Sequence, residues 1–437
     1  MIRSENPLGT RGHVMFTHRA EVDVRYAEFH DLGRTMSQPP IDRTTFDANG
    51  NVTHIGTNQI GRYSLHAHHL YGPPPQTPSP QHQFTMLGNA VVSDLPSSHK
   101  FRWGLTIHDS HYGLVKDNVL VNWSDWGLVT EDGSESFNVI ERNFVLGIKG
   151  AGGSRVHGTA FWFKGTNNTI RDNVAANVTS TPDPQTGTIH HTTFGYVFRA
   201  DFTGIKRVPA FQGADPSVQG QFVLVDMNGI PLPEFARNES YGATGFGLIY
   251  WWLGTRGHSP LPLSRPSIIQ DLRVWHVWTW GVFGYDSNQL VFDRLVVRGD
   301  RAVVNSRAKG MDFLDYFNKD LVITNANIQG VDVGIVPSVD SGSGTQTIEN
   351  SYIRANTGIM IKSVGGSPAS HDVFPPKVTI IRNNTFVAPI AGRQVRAVNM
   401  ASSSPGAQRD EVWFVDPSGS VSQLFYSAQD PNSMITI

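Results

Sequence analysis

One phrase recurs along the chain: a glycine or small residue, a segment in which apolar and polar residues alternate, a polar turn, a second apolar segment, and an asparagine near its end. Copies begin at Gly104 (GLTIHDSHYGLVKDN), Gly127 (GLVTEDGSESFNVIERN), Ala160 (AFWFKGTNNTIRDN), Gly195 (GYVFRADF), Gly247 (GLIYWWLG), Gly281 (GVFGYDSNQLVFDR), Gly334 (GIVPSVDSGSGTQTIEN) and Gly358 (GIMIKSV). The first and third residues after the glycine are mostly apolar: Leu105 and Ile107, Leu128 and Thr130, Phe161 and Phe163, Tyr196 and Phe198, Ile359 and Ile361. A period of two is a strand with those residues turned inward. The tightest repeat, Gly104 to Gly127, has the length of one coil of three short strands and their turns. The pattern predicts an all-β chain, a right-handed parallel β-helix over 1–437 as one domain. Asn118, Asn143 and Asn173 take equivalent turn positions, where stacked amides satisfy one another and the backbone, a structural role.

The interruptions read as loops. Insertions are expected at 72–100, which opens with the proline-rich GPPPQTPSPQHQ, and at 203–246, with a glycine-rich loop at 147–153. Loops on one side of a rigid scaffold commonly wall a binding site. The glycine loop lacks the Gly-Lys-Ser/Thr of a phosphate cradle.

Composition narrows the class. Hydrophobic residues make up 39% and charged residues 16%, which suits a long core rather than a disordered chain. The formal charge of −2 provides no basic field for nucleic acid, so an anionic ligand would need local cations. There are no cysteines, hence no disulfides and no thiolate metal site. No apolar run is long enough to span a membrane, and the first residues lack the apolar stretch of a secretory signal. Strand-like sequence from Arg11 onward, with no cap before it, reads as an N-terminally truncated solenoid.

If the first and third positions face inward, the second and fourth face out. The fourth reads His108, Glu131, Lys164, Arg199, Trp251, Tyr285, Ser338 and Lys362, a column of cations, a carboxylate and aromatics. With coils about 4.8 Å apart, His108 to Arg199 would span a short oligosaccharide. Trp162 and Trp251, outward on the same face, would be covered by a loop or stack on sugar rings, and Tyr285 joins them as a candidate sugar contact. Solvation alone explains any single polar position. The run Trp275, Trp278 and Trp280 is assigned to core packing.

One coil earlier, GRYSLHAHH (61–69) places His66 over His108 if Leu65 stacks on Ile107. His66, His68 and His108 with Glu131 could hold a divalent metal, or the imidazoles could bind substrate and exchange protons. Asp109 and Asp132 stack one position further on. They could share calcium, form a nucleophile and acid pair, or simply accept turn amides. Arg62 suits the carboxylate of a uronate.

At these residues the chain resembles the family of the cell-surface hyaluronidase and the cell-migration-inducing hyaluronan-binding protein, together with bacterial β-helix proteins. The resemblance is carried by RGHVMFTHRAEVDVRYAEFHDLGR (11–34), IGRYSLHAHHL (60–70), GLTIHDSHYGLVKDNV (104–119) and GLVTEDGSESFNVIERN (127–143), and more loosely by PLPEFARNESYGA (231–243). Gly61, Arg62, Tyr63, His66 and His68 match a Gly-Arg-Tyr-Pro-x-His-Phe-His pattern, with Ser64 and Ala67 departing from it. Glu131, Asp132 and Gly133 match a Leu-Glu-Asp-Gly pattern. The resemblance implies a right-handed β-helix acting on hyaluronan or a similar polymer, an extracellular or cell-surface location, and calcium dependence. It does not assign the chemistry to particular residues. The glycine-rich domain that precedes this region in the family is missing from this sequence.

Two functions are therefore open. An enzyme of acidic polysaccharides would hydrolyse with Glu131, Asp132 or Asp109, or eliminate with Lys164, Arg199 or a histidine as base. A non-catalytic carbohydrate-binding or structural solenoid would use the same column for affinity alone.

Overall fold

The computed structural model describes residues 1–35, 41–71, 82–95, 103–150, 158–180, 193–199, 204–300, 308–313, 318–338, 344–362, 377–389, 396–401, 411–415, 421–425 and 434–435. They fall into two units: Met1–Met227 with Tyr241–Thr244, and Asn228–Ser240 with Gly245–Ile437. Each is a stack of parallel coils, a right-handed parallel β-helix as the repeat predicts.

In the first unit three parallel ladders run up the stack. One joins Val14–His18, Leu65–Leu70, Trp103–His108, Trp126–Thr130, Thr159–Phe163 and Phe194–Arg199. The second joins Val22–Arg25, Phe84–Leu87, Gly113–Lys116, Val139–Glu141 and Thr169–Arg171. The third joins Glu28–His30, Ala90–Val92, Val119–Val121, Phe144–Leu146 and Val174–Ala176. Leu65, Leu105, Leu128, Phe161 and Tyr196 stack in register, all fully buried, and Ala67, Ile107, Thr130, Phe163 and Phe198 do the same. The inward positions read from the alternation are the core.

The glycine that opens each copy has a steric cause. A Cβ on Gly127 would lie 2.5 Å from Val145 Cγ1 and 2.6 Å from the Ala160 carbonyl oxygen, on strands that close against it. At the corner between the second and third ladders, Asp117, Arg142 and Asp172 adopt left-handed backbone angles just before Asn118, Asn143 and Asn173. Those asparagines form a buried amide ladder. Nδ2 of Asn89 donates to Asn118 Oδ1 (2.9 Å), Asn118 to Asn143 (2.9 Å) and Asn143 to Asn173 (3.0 Å).

Much of the expected insertions is coil. Phe84–Leu87 and Ala90–Val92 are ladder strands inside the 72–100 stretch, and 72–81 and 96–102 lie outside the described residues. Within 203–246 the true excursion is an antiparallel hairpin of Ile205–Pro209 and Phe222–Asp226, whereas Glu234–Ala236 and Glu239–Tyr241 are ladder strands. Proline-rich and polar composition marked these stretches as loops, but short buried runs such as FTML still form strands.

The second unit repeats the scheme with longer strands. Trp280–Asp293 rounds a corner without interruption, pairing with Phe246–Leu253 and Lys309–Asp312 on one side and Ser267–Gln270 and Asn318–Thr324 on the other. Trp275 and Trp280 are half-exposed rather than core, their indole N–H groups donating to Glu239 and Asp312 at 3.0 Å each. Ser338, expected outward, is fully buried. No helix among the described residues is long and apolar enough to cross a membrane.

Candidate functional site

The site lies on the outer face of the first ladder, where Leu65–Leu70, Trp103–His108 and the end of Trp126–Thr130 come side by side. The register is Leu65 on Leu105 and His68 on His108, two residues from the expected stacking, so His66 sits on Thr106. The histidines meet nevertheless. The His66 and His108 rings are stacked at 6.1 Å, and His68 stands edge-on to both, at 5.0 and 4.9 Å. His69 joins them, 4.4 Å from His68 and 5.0 Å from His108. Strict alternation would turn His69 inward. Its left-handed backbone angle (φ 48°) makes it a bulge within Leu65–Leu70, skipped in the pairing with Val14–His18, and swings it onto the histidine face.

Glu131 is the hub. Tyr63 donates its hydroxyl to Oε1, while Oε2 faces His108 Nδ1 at 3.3 Å and His66 Nε2 at 3.9 Å. His66 is fully buried and its Nδ1 lies 3.0 Å from the Gly61 carbonyl. A carbonyl only accepts, so Nδ1 carries the proton and Nε2 presents a lone pair. His66 Nε2 and Glu131 Oε2 are both buried without a hydrogen-bond partner. Two facing lone pairs call for a proton or a cation between them.

Electrostatics drive the carboxyls apart. Burial pushes Glu131 up to about 7, against the Tyr63 hydroxyl and the charge of Lys164. Burial also acts on Asp109, but hydrogen bonds from His111, His69 and Ser134 outweigh it and hold Asp109 well below the ordinary carboxylate range. His69 Nδ1 is 3.0 Å from Asp109, which raises the imidazole. Burial, then the neighbouring His69 and His108, lowers His68 to about 4. Burial likewise lowers His66 and His108. The cluster thus sets a carboxyl that holds its proton unusually tightly beside the ionised Asp109, with His66, His68 and His108 biased toward the neutral imidazole and His69 toward its charged form.

Asp109 and Asp132 do not face each other as a bare pair. Ser134 Oγ stands between them, 2.8 Å from Asp109 Oδ1 and 2.7 Å from Asp132 Oδ1. Beneath them the buried Glu135 carboxyl accepts the backbone N–H groups of Asp109, Glu131, Asp132 and Gly133 at 2.9–3.1 Å. Burial and the Asp132 carboxylate push Glu135 well up, so the pair shares a proton held on Glu135. This knot fixes the turn that presents Glu131.

Several expected contacts lie elsewhere. Trp162 is buried, not an exposed sugar platform. It packs on Trp126 at 4.6 Å, in a column continued by Trp103 and Tyr63, and Lys164 Nζ lies 5.0 Å from its ring centroid. Lys164 is half-buried at the margin of the site. Arg62 is half-buried two residues from Ser64, and its charge bears on His66 and His68. Trp251 and Tyr285 pair in register within the second unit. The side chains of Arg199 and Lys362 lie outside the described residues.

Sequence reasoning gave no role to Tyr63, His69, His111, Ser134 or Glu135. The signals available were Tyr63 in the Gly-Arg-Tyr motif, the doubled histidine at 68–69 and the acidic turn EDGSE. The hairpin walls one side: Lys206 comes against Gly133, and Asp215 pairs with Arg19 at 3.5 Å.

Comparison with known proteins agrees with the resemblance. Residues 47–157, which include Tyr63, the histidine cluster and Glu131, match the family model described as CEMIP beta-helix. Fibrocystin-L of Mus musculus is 27% identical over 233 residues, covering 52% of this chain, and that of Homo sapiens 24% identical over 324 residues, covering 72%. The chain spans only 5% and 7% of the length of these curated relatives. Among solved structures, a mannuronic-acid-specific polysaccharide family 6 lyase from human gut microbiota aligns over 78% of this chain and 82% of its own, at 8% identity and a TM-score of 0.31. The catalytic domain of a GH87 alpha-1,3-glucanase bound to tetrasaccharides aligns over 90% and 68%, at 13% identity and a TM-score of 0.31. At that similarity neither bears on chemistry or substrate.

Proposed function

We propose that this protein is an extracellular or cell-surface hydrolase of an acidic polysaccharide of the hyaluronan type, with Glu131 as general acid. The observation that carries the reading is the divergence of two carboxyl environments on one coil face: Glu131 keeps its proton to about 7 while Asp109 stays ionised. Such divergence separates acid from anion in glycoside chemistry. Glu131 would protonate the glycosidic oxygen. The ionised Asp109 and Asp132, tied through Ser134, would stabilise positive charge developing on the sugar. His69, oriented by Asp109, would position the substrate, and neutral His108 would take up the proton from the attacking water. Lys164 supplies a cation at the margin for the polymer's acidic groups.

In place of the proton on Glu131, the orphaned lone pairs of His66 Nε2 and Glu131 Oε2 fit a divalent cation held by His66, His108 and Glu131, with His68 and His69 as an adjoining pair of donors around His108; Glu131 would then be a ligand and not the general acid. A donor set this rich in imidazole suits zinc or manganese, whereas calcium takes oxygen ligands. When bound, such an ion would act as a Lewis acid on a glycan or water oxygen.

The test is incubation with hyaluronan, chondroitin and alginate, with and without chelator, following chain length and the near-ultraviolet absorbance of an unsaturated uronate. The expected result is shortening of a uronate polymer without new absorbance, abolished by Glu131→Gln. New absorbance would replace hydrolysis by elimination. Binding without shortening would leave a carbohydrate-binding solenoid.

A further inference from the structure

Beside the histidine cluster, the first coils gather cations that have no anion. Gly33 donates its N–H to the Gly12 carbonyl and Arg34 to the Arg62 carbonyl, both at 2.8 Å, while Val14 donates to Ser64 at 3.1 Å. Three backbone runs carrying His13, Arg34 and Arg62 are thereby laid side by side. The two guanidinium charges act on each other and on His13, which burial and then Arg34 and Arg62 lower to about 4. Arg34 Nε is buried without an acceptor, and so are both terminal nitrogens of Arg11, a side chain only 1% exposed. Among the described residues none of Arg11, Arg34 and Arg62 makes an ion pair with a carboxylate. Arg34 has only a long contact from one terminal nitrogen to Gln59 Oε1 (3.5 Å), so neither it nor the half-buried Arg62 has its charge neutralised, although partial desolvation and mutual repulsion both favour an anion beside them.

The geometry points to an anion subsite formed by His13, Arg34 and Arg62, which takes the acidic group, carboxylate or sulfate, of a sugar whose neighbouring bond lies at Glu131. The ligand rests on the glycan reading above; the site itself does not. Two planar forks suit a bidentate oxyanion, and a neutral imidazole adds an N–H donor without adding charge. Arg62 links the two places, since its charge also lowers His66 and His68.

The experiment uses the full chain carrying Glu131→Gln, so that ligand is not consumed. Binding of hyaluronan hexasaccharide, its carboxyl-reduced counterpart, sodium glucuronate and sodium sulfate is followed by calorimetry in that protein and after adding Arg34→Gln, Arg62→Gln or Arg62→Lys. The expected result is about tenfold or greater loss of hexasaccharide affinity in either Gln variant, partial retention with Lys, and no difference for the carboxyl-reduced ligand. The reduced ligand tests the pairing on unaltered arginines even where a Gln variant fails to fold. Hexasaccharide binding that ignores both substitutions and carboxyl reduction overturns the subsite and leaves the glycan reading standing. Glucuronate or sulfate binding that depends on Arg62, with no glycan bound, upholds the subsite and removes the glycan reading. No binding of any probe overturns the subsite.

Discussion

Replacing Glu131 by Gln should make the protein more stable in alkali while destroying its activity. In the folded chain the Glu131 carboxyl releases its proton near 7, against an ordinary value of 4.5. A raised folded value means that the folded state binds the proton more tightly. Its contribution is fully present below 4.5 and is lost as pH rises through about 7. A shift of that size corresponds to about 3 kcal/mol, an upper figure because the side chain keeps some contact with solvent. Gln has nearly the same shape, accepts the Tyr63 hydroxyl at its oxygen and offers an N–H to the lone pair of His66 Nε2. The two proteins should therefore unfold alike in urea at pH 4.5 and diverge between pH 5 and 8, by about 2–3 kcal/mol in favour of Gln. Tryptophan fluorescence in the presence of chelator reports this, and midpoints suffice where a solenoid departs from two-state behaviour. A pH-independent difference, or one favouring Glu in alkali, would refute the account of Glu131 as a buried, reluctantly ionised acid.

Other consequences can be measured directly. Activity on the uronate polymer should decline as pH rises through about 7, where Glu131 loses its proton, and Tyr63→Phe should move that limb upward by removing a hydrogen bond that favours the carboxylate. Zinc affinity, read by competition with a chromogenic chelator, should fall about 10- to 100-fold in His66→Ala and His108→Ala and change little in His30→Ala, which lies on a different ladder. Asn143→Leu strands the backbone N–H of Asn118 and the Val115 carbonyl, so melting should report a loss of about 2–4 kcal/mol. Gly127→Ala forces a Cβ against Val145 and the Ala160 carbonyl, and the soluble yield should drop sharply.

The fold was legible because its cause is local and repeated. Inward positions such as Leu105, Leu128 and Phe161 recur at one place in every copy, and asparagines recur at one corner. The site was legible only in part. Glu131, His66, His68 and His108 do converge, yet the register offset between Leu65 and Leu105 was not readable, because coil length between copies varies with the loops. His69 escaped notice because alternation fails where a left-handed residue bulges out of a strand. Trp162 was misplaced because an outward strand position can still be covered, here by the indole of Trp126. Glu135 looked like one more acidic turn residue; only the folded turn shows four amides directed at its carboxyl.

The asparagine ladder also bears on how such a protein can change. Each amide serves the coil on either side, so trimming or adding a few residues within one turn would break two rungs at once. Length is then altered most safely in whole multiples of the repeat, or by letting chain bulge outward between rungs, as the 205–226 hairpin does. Diversification is thereby channelled to the rim of the stack, where the 205–226 hairpin borders the candidate site, while the interior spacing stays fixed.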